Sequence, residues 1–224
     1  PINYKPNMHQ TISPVDGSVY AERSLASEQD IEQALRRAVE AQRDWAASSI
    51  SERATVCRKA VHYMIDRADE LGAELSWQMG RPIRYAPFEI KKGFRERAHY
   101  MIDIAESALA DIPAEEIPGF RRYIRRVPLG LVLVLAPWNY PYLTSVNSII
   151  PALMAGNSVL LKHAQQTPLC AEHYAEAFRS AGAPEGLFQY LHLSHEQAAR
   201  LIADARVAQV AFTGSVDGGH AVQK

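Results

Sequence analysis

The chain has 224 residues, of which 47% are hydrophobic and 22% charged, with a formal net charge of −1 at pH 7. This length allows a substantial core, and near neutrality argues against nucleic-acid binding, which needs a concentrated basic face. Two cysteines are too few for a disulfide framework, and no apolar run reaches the roughly 18 residues of a membrane span. We therefore expect a cytoplasmic protein that binds neither membranes nor nucleic acid.

Short strands and then long helices are predicted at the beginning of the chain. Helical periodicity gives three helices, which start near Ser27, Ser51 and Ala86. Ser27 and Asp30 have the spacing of a capping box, and Gly80-Arg81-Pro82 is a stop signal for the second helix. A proline-containing loop follows the third helix.

The periodicity changes at Phe120. Phe120–Arg126 alternates as an exposed ribbon with four arginines, and apolar strands then alternate with helices. The predicted strands are Leu131–Leu135, Ser158–Leu161, Leu187–Leu193 and Ala208–Phe212. The predicted helices between them are Leu143–Met154, Thr167–Ser180 and Glu196–Ala203. This alternation predicts an α/β fold with a Rossmann-like parallel sheet and flanking helices, preceded by an N-terminal helical segment and an extended ribbon.

The pattern divides the chain into an N-terminal segment, a ribbon and a sheet-forming core, at residues 1–118, 119–130 and 131–224. The last predicted helix opens at Gly214-Ser215, about two turns before the final residue, and an isolated helix that short is marginal. We therefore expect these residues to be the N-terminal part of a longer protein. A complete small domain with a frayed C-terminus is the alternative.

Three strand ends carry residues suited to a ligand. Asn139 comes after the first core strand, Lys162 directly after the second, and Thr213-Gly214-Ser215 after the fourth, with Gly219 as a further close-approach position. Ligands bind in the crevice at the carboxyl ends of parallel strands. There an asparagine amide can donate to an oxygen, a lysine can bind ribose hydroxyls or a phosphate, and a glycine lets the backbone approach a phosphate.

Each of these features also has an ordinary explanation when taken singly. Asparagine forms turns, a strand-terminal lysine reaches water, and Gly-Ser is common in βα turns. Their occurrence at the strand ends of one sheet favours a nucleotide-binding crevice.

Other reactive side chains are interpreted as structural. Cys57 and Cys170 lie in helical patterns, away from strand ends, and are predicted to be packing residues. His192 and His195 form an HxxH pair without further ligands nearby, so we expect two solvated imidazoles and no metal site.

The combined motifs resemble the aldehyde dehydrogenase superfamily. They are Pro137-Trp138-Asn139-Tyr140-Pro141, Gly156-Asn157-Ser158-Val159 with Lys162, Gln166-Thr167-Pro168 and Phe212-Thr213-Gly214-Ser215, in the superfamily's order and spacing. Gly182–Gly186 and Gly80-Arg81-Pro82 extend the similarity over nearly the whole chain. Within the superfamily, the sequence is most similar to the succinate-semialdehyde dehydrogenase branch.

The resemblance implies a role for individual residues. Asn139 matches the asparagine that helps to hold the oxyanion of the tetrahedral intermediate, a task for a fixed neutral donor. Trp138 matches a contact to the cofactor phosphates, Lys162 one to the adenosine ribose, and Ser215 one to the pyrophosphate. The full cofactor-binding set expected for NAD or NADP is Pro137, Trp138, Lys162, Gln165, Thr213, Gly214, Ser215 and Gly219. Phe120–Val127 resembles the arm through which subunits pair, which implies a homodimer or homotetramer.

The sequence also departs from the superfamily. Gln165 replaces the usual glutamate three residues after the lysine, which favours acceptance of NADP, and Gly218 replaces a branched apolar residue. The nucleophilic cysteine and the general-base glutamate are expected beyond residue 224, so these residues alone should be inactive. The implied reaction of the complete enzyme oxidises a small-molecule aldehyde to a carboxylic acid.

Two alternatives of other classes stay open. One is a free-standing nucleotide-binding or regulatory module without catalysis. The other is a short-chain reductase, which is disfavoured because no tyrosine in the chain is followed by a lysine four residues later.

Overall fold

The computed structural model describes residues 7–223, so the first six residues of the segment predicted to form short strands lie outside it. The described chain begins with an antiparallel pair, β1 (Met8–Ile12) and β2 (Val19–Ser24). A tight turn joins them, with Gly17 at a φ of 77°.

Three long helices follow. They are α1 (Glu28–Ala47), α2 (Ile50–Asp66) and α3 (Ala68–Met79). The capping box of Ser27 and Asp30 is confirmed. The predicted start of the second helix at Ser51 is one residue late: α2 begins at Ile50, because its N-cap is Ser49, which forms a reciprocal capping box with Glu52. The predicted stop is confirmed by left-handed Gly80, at a φ of 75°, but it ends α3, because the second predicted helix is divided at Arg67 into α2 and α3.

The third predicted helix is not one continuous α-helix. It consists of α4 (Ala86–Phe88), a π-helical turn (Glu89–Phe94), α5 (Arg95–Asp103) and α6 (Ala105–Leu109). In a π-helix each bond joins residues five apart, which local periodicity does not distinguish from an α-helix.

The predicted ribbon is only partly a strand. β3 (Ile112–Pro113) pairs antiparallel with β4 (Tyr123–Ile124), and the rest of Phe120–Arg126 is irregular. An isolated bridge between Ile117 and Phe120 closes a turn at Gly119, which ends regular pairing. Phe120 and Ile124 are 71% and 63% exposed, so the segment is an uncovered apolar surface.

The remainder is a parallel α/β unit, which confirms the predicted fold class. Its elements are β5 (Leu131–Ala136), α7 (Pro141–Met154), β6 (Ser158–His163), α8 (Leu169–Ser180), β7 (Phe188–Tyr190), α9 (His195–Ile202), β8 (Val207–Phe212) and α10 (Val216–Gln223). All neighbouring strands are parallel, in the order β7-β6-β5-β8. Among the described residues, no helix is both long and apolar enough to cross a membrane.

Two element boundaries differ from expectation in ways that matter later. β6 continues to His163, because it pairs along β5 as far as Ala136, so Lys162 lies inside the strand and not after it. α8 begins at Leu169, and Thr167 does not cap it with its side chain. The hydroxyl of Thr167 contacts His163 instead, and Leu169 donates its backbone N–H to the side chain of Gln78.

The two central strands of the sheet, β5 and β6, are buried on both faces. Val132, Val134, Val159 and Leu161 face a large core that includes side chains of α2, α5, α7 and α8. Leu131, Leu133, Leu135 and Leu160 face a smaller core with side chains of α1 and α9. β5 is therefore apolar at every position, as expected for a central strand of a covered parallel sheet.

Candidate functional site

The strand order creates a crevice beside β5. The chain runs from β5 to β6 and β7 on one side and then returns to β8 on the other side of β5. The carboxyl ends of β5 and β8 therefore flank a point where the strand order reverses, which is where open α/β sheets bind ligands. Leu135 pairs with both Lys162 and Phe212, so the three predicted strand-end features meet at one edge.

The segment after β5 leaves Asn139 accessible. Asn139 and Trp138 are exposed between the end of β5 and the start of α7, Trp138 by 51%. Tyr140 follows with a φ of 83°, a left-handed conformation that costs a residue with a Cβ roughly 1–3 kcal/mol. This strained turn carries the chain from the strand into the helix, directly after the exposed Asn139 at the switch point.

Lys162 lies in a row of side chains across three strands. Lys162 lies two residues after Leu160, so both side chains are on the same face of the sheet. Lys162 pairs with Leu135 of β5, which in turn pairs with Phe212 of β8, so Phe212 lies on that face too. Burial lowers the pKa of the Lys162 amine, and among the described residues no carboxylate forms an ion pair with it. His9 of β1 is nearby, since burial and Lys162 together lower the pKa of His9 to about 4. An anionic or hydroxyl-bearing ligand would meet a partly desolvated cation without a competing anion.

Gln165 lies two residues beyond β6. Its side chain is exposed, and its carbonyl accepts a hydrogen bond of 3.1 Å from the Thr11 hydroxyl. The neighbouring Gln166 donates to carbonyls of Ile12 and Gln78. Strand β1 thus holds the loop through the Gln165 carbonyl, and β1 and helix α3 hold it through the Gln166 side chain, which leaves the exposed Gln165 side chain available to a ligand.

The β8–α10 junction has a helix start open to solvent. Thr213 donates its N–H to the Leu135 carbonyl at 3.1 Å, which ties the junction to β5. The Ser215 hydroxyl accepts from the N–H of Gly218 at 3.1 Å and so caps α10. The exposed first turn of α10 offers backbone N–H groups to an anion.

The glycines of this junction also have a packing role that sequence analysis missed. A Cβ at Gly214 or Gly218 would lie 2.4 or 2.8 Å from Cζ of Phe212, whereas one at Gly219 would lie 3.7 Å from that ring. The absence of a side chain at Gly214 and Gly218 therefore makes room for Phe212. Pro137, at the start of the β5–α7 segment, is partly buried.

The cysteines and the HxxH pair lie outside this arrangement. Cys57 and Cys170 are buried, and burial raises the pKa of the Cys57 thiol to about 12. Their predicted packing role is confirmed. The expectation of a solvated His192 is wrong, because its ring is 12% exposed and lies 3.1 Å from the Glu172 carboxylate of α8. Within residues 7–223, no cluster of three or more potential metal ligands occurs.

Glu89 and its contact with Arg81 were not predicted from the sequence. Glu89 is a buried carboxylate among the buried apolar residues Ala86, Ile90 and Phe94, and it contacts both Arg81 and the start of α7. A charged residue in a buried helical pattern was the available signal, since such residues are almost never buried without a partner.

Comparison with known proteins agrees with this geometry. The model of the aldehyde dehydrogenase family matches residues 3–224. An aldehyde dehydrogenase of Paenarthrobacter nicotinovorans is 35% identical over 95% of the chain, and an NADP-dependent succinate-semialdehyde dehydrogenase of Mycobacterium avium is 36% identical over 95%. The chain spans 47% and 45% of the lengths of these relatives, just under half.

Solved structures give the same result. Succinic semialdehyde dehydrogenase of Streptococcus pyogenes, in complex with NADP⁺, superposes with a TM-score of 0.89 at 28% identity, over 96% of this chain and 47% of that one. An NAD-dependent benzaldehyde dehydrogenase of Corynebacterium glutamicum also gives 0.89 at 28% identity, over 97% and 48%. With a family match over nearly its full length and this strand order, the chain belongs to the aldehyde dehydrogenase family.

Proposed function

We propose that the chain is the cofactor-binding part of an NAD(P)-dependent aldehyde dehydrogenase that oxidises a small aldehyde to a carboxylic acid. The observation that carries this proposal is the accessible Asn139 at the switch point, beside the β8–α10 junction and one strand from Lys162. The same proposal divides the chain into an N-terminal segment, a ribbon and a cofactor-binding core, at residues 1–118, 119–130 and 131–224.

The residues at the sheet edge fit a dinucleotide. Lys162 is a partly desolvated amine without an ion-pair partner among the described residues, suited to ribose hydroxyls or a phosphate. The capped start of α10 with Ser215 suits the pyrophosphate, and exposed Trp138 is available to contact it from the β5 side. When bound there, the nicotinamide would accept the hydride removed from the substrate carbon.

Asn139 would stabilise the charge that develops on the substrate oxygen. A thiolate supplied from outside these residues would attack the aldehyde, and loss of the hydride would leave a thioester. A general base, also from outside these residues, would activate the water that hydrolyses this thioester. Neither buried cysteine suits that nucleophilic task, because burial disfavours the thiolate. The part of the chemistry that falls to this chain is therefore oxyanion binding and cofactor binding.

We further propose succinate semialdehyde as the substrate and NADP as an accepted cofactor. Relatives bearing the name NADP-dependent succinate-semialdehyde dehydrogenase support both, and Gln165 supports the second because it places no negative charge near Lys162. A cytoplasmic homodimer or homotetramer that pairs through the ribbon at 119–130 completes the proposal.

Replacing Asn139 by alanine in the full-length protein tests the function. We expect kcat to fall about 10²–10³-fold, with little change in the cofactor Kd, because the amide acts on charge present only in the transition state. Formation of NADH or NADPH from succinate semialdehyde gives kcat, and quenching of tryptophan fluorescence gives the Kd. A variant with wild-type kcat and a greatly weakened Kd would assign Asn139 to cofactor binding instead.

A further inference from the structure

A buried carboxylate begins the π-helical turn and contacts the start of α7. The Glu89 side chain has no solvent exposure, and its Oε1 accepts hydrogen bonds from the backbone N–H groups of Tyr142 and Leu143, at 2.8 and 3.0 Å. The first N–H groups of a helix have no partner within the helix, and they carry the positive end of its dipole. Glu89 therefore fixes the N-terminus of α7 from a different part of the chain.

The second oxygen of Glu89 binds Arg81. The Arg81 guanidinium forms an ion pair with Oε2 and at the same time lies over the Tyr140 ring, 4.1 Å from its centre. The pair thus contacts both ends of the four-residue segment from Tyr140 to Leu143. Asn139 is the residue directly before that segment.

Tyr140 needs such support. Its left-handed conformation is strained, and a strained turn persists only where the surrounding structure holds it. Arg81 contacts the ring of Tyr140 itself, and the two hydrogen bonds that Glu89 accepts hold the backbone of Tyr142 and Leu143 just after it. They restrict the direction in which the chain leaves β5.

Close packing makes the support rigid. A Cβ at Gly93, within the π-helical turn, would lie 2.7 Å from a methyl group of Leu143, so the turn approaches α7 as closely as a glycine permits. On its other side, a Cβ at Gly72 of α3 would lie 2.6 Å from the backbone nitrogen of Pro87. The segment that carries Arg81 and Glu89 is thereby held between α3 and α7, with little freedom to shift.

We propose that the Arg81–Glu89 pair is a positioning unit for Asn139, which sets the direction of its amide through the Tyr140 turn and the start of α7. This inference rests on the proposed role of Asn139 as an oxyanion donor. Such a donor must lie within about 2.7–3.1 Å of the developing oxyanion, and a misplacement of about 1 Å can cost on the order of 10²-fold in rate. A pair remote from the substrate can therefore control the rate.

A double-mutant cycle in the full-length protein tests the inference. Glu89→Gln keeps the size of the side chain and one acceptor for α7 but removes the charge that holds Arg81. We expect it to lower kcat by about 10-fold when Asn139 is present and by less than about 2-fold in the Asn139→Ala background, with an unchanged cofactor Kd. A general loss of structure would instead lower kcat by the same factor in both backgrounds, and that result would overturn the inference.

Arg81→Gln is a second variant, for the case in which Glu89→Gln does not fold. It leaves the hydrogen bonds of Glu89 to α7 in place and removes the contact with Tyr140, and we expect the same coupling to Asn139. Arg84→Gln is the matched control, because Arg84 is an exposed arginine three residues away whose guanidinium lies 5.6 Å from the Tyr85 ring. Its kcat should equal that of the wild type.

The outcomes separate the two proposals. A wild-type kcat for Asn139→Ala would overturn the proposed function and this inference with it. A strong effect of Asn139→Ala, combined with additive effects of Arg81→Gln or Glu89→Gln, would overturn the inference alone.

Discussion

Arg53 offers the sharpest test of how helices α1, α2 and α7 are joined to one another. It belongs to α2 and is only 7% exposed, yet no carboxylate among the described residues forms an ion pair with it. Its guanidinium donates to the carbonyls of Ala46, Ser48 and Met154 at 2.8, 2.8 and 3.1 Å, and to the Ser48 hydroxyl at 3.1 Å. It therefore caps the C-terminal ends of α1 and α7 together, where carbonyls lack partners within the helix.

The cost of Arg53→Met follows from these contacts. Methionine retains much of the volume but leaves three carbonyls without their donor. The bond to Met154 is buried, and an unsatisfied buried acceptor costs about 1–3 kcal/mol. The bonds to Ala46 and Ser48 are partly buried, so water replaces them in part, at about 0.5–1 kcal/mol each. We expect a loss of about 2–5 kcal/mol in the free energy of unfolding.

Urea denaturation measures this loss as a shift in midpoint at constant slope. Arg58→Met is the control, because Arg58 lies on the same helix but has a side chain that is 43% exposed and makes one ion pair, with Asp103 at 2.6 Å. An exposed pair contributes about 1 kcal/mol or less. If both variants lost the same stability, or if Arg53→Met lost less than about 1 kcal/mol, the carbonyl contacts would not be the reason why this arginine is buried.

Three further predictions concern activity and assembly. Gln165→Glu in the full-length protein should lower the ratio of kcat/KM with NADP to kcat/KM with NAD by about 5- to 150-fold, because a carboxylate near Lys162 repels a 2′-phosphate. An unchanged ratio would show that residue 165 does not face the 2′ position. The double substitution Tyr123→Asp and Ile124→Asp should lower the number of subunits per assembly, measured by light scattering. The reason is that a charged ribbon would no longer pair with another subunit. The 224 residues alone should form no NADH or NADPH from aldehydes, and steady turnover by them would refute the proposal that nucleophile and base lie elsewhere.

The parallel core was predictable because its signals are local. The apolar stretches of β5 and β6 identified central strands, and the strand-helix alternation predicted the direction in which they pair. The capping box at Ser27 was equally local. At α2 the choice between Ser49 and Ser51 depended on which serine has a glutamate three residues later, and that condition selects Ser49.

The contacts that could not be predicted join distant parts of the chain. Gln78 supplies the acceptor at the start of α8, 91 residues away, and Glu89 binds the start of α7 from 53 residues away. Nothing in the local sequence of Leu169 or Tyr142 indicates these partners. The π-helical turn is a similar case, because its i to i+5 bonds leave an apolar spacing compatible with an α-helix.

The register of β6 connects the predictable part of the fold to the candidate site. Side chains alternate along a strand, so a slip of one residue would exchange Lys162 and His163 between the two faces of the sheet. In the observed register, His163 faces α7, with a ring nitrogen 3.3 Å from the Pro141 carbonyl, and Lys162 lies in the row with Leu135 and Phe212. Val159 and Leu161 on one face and Leu160 on the other fix that register by burial. The apolar residues that form the core therefore also determine that the amine, and not the imidazole, lies on the face of the sheet shared with the β8–α10 junction.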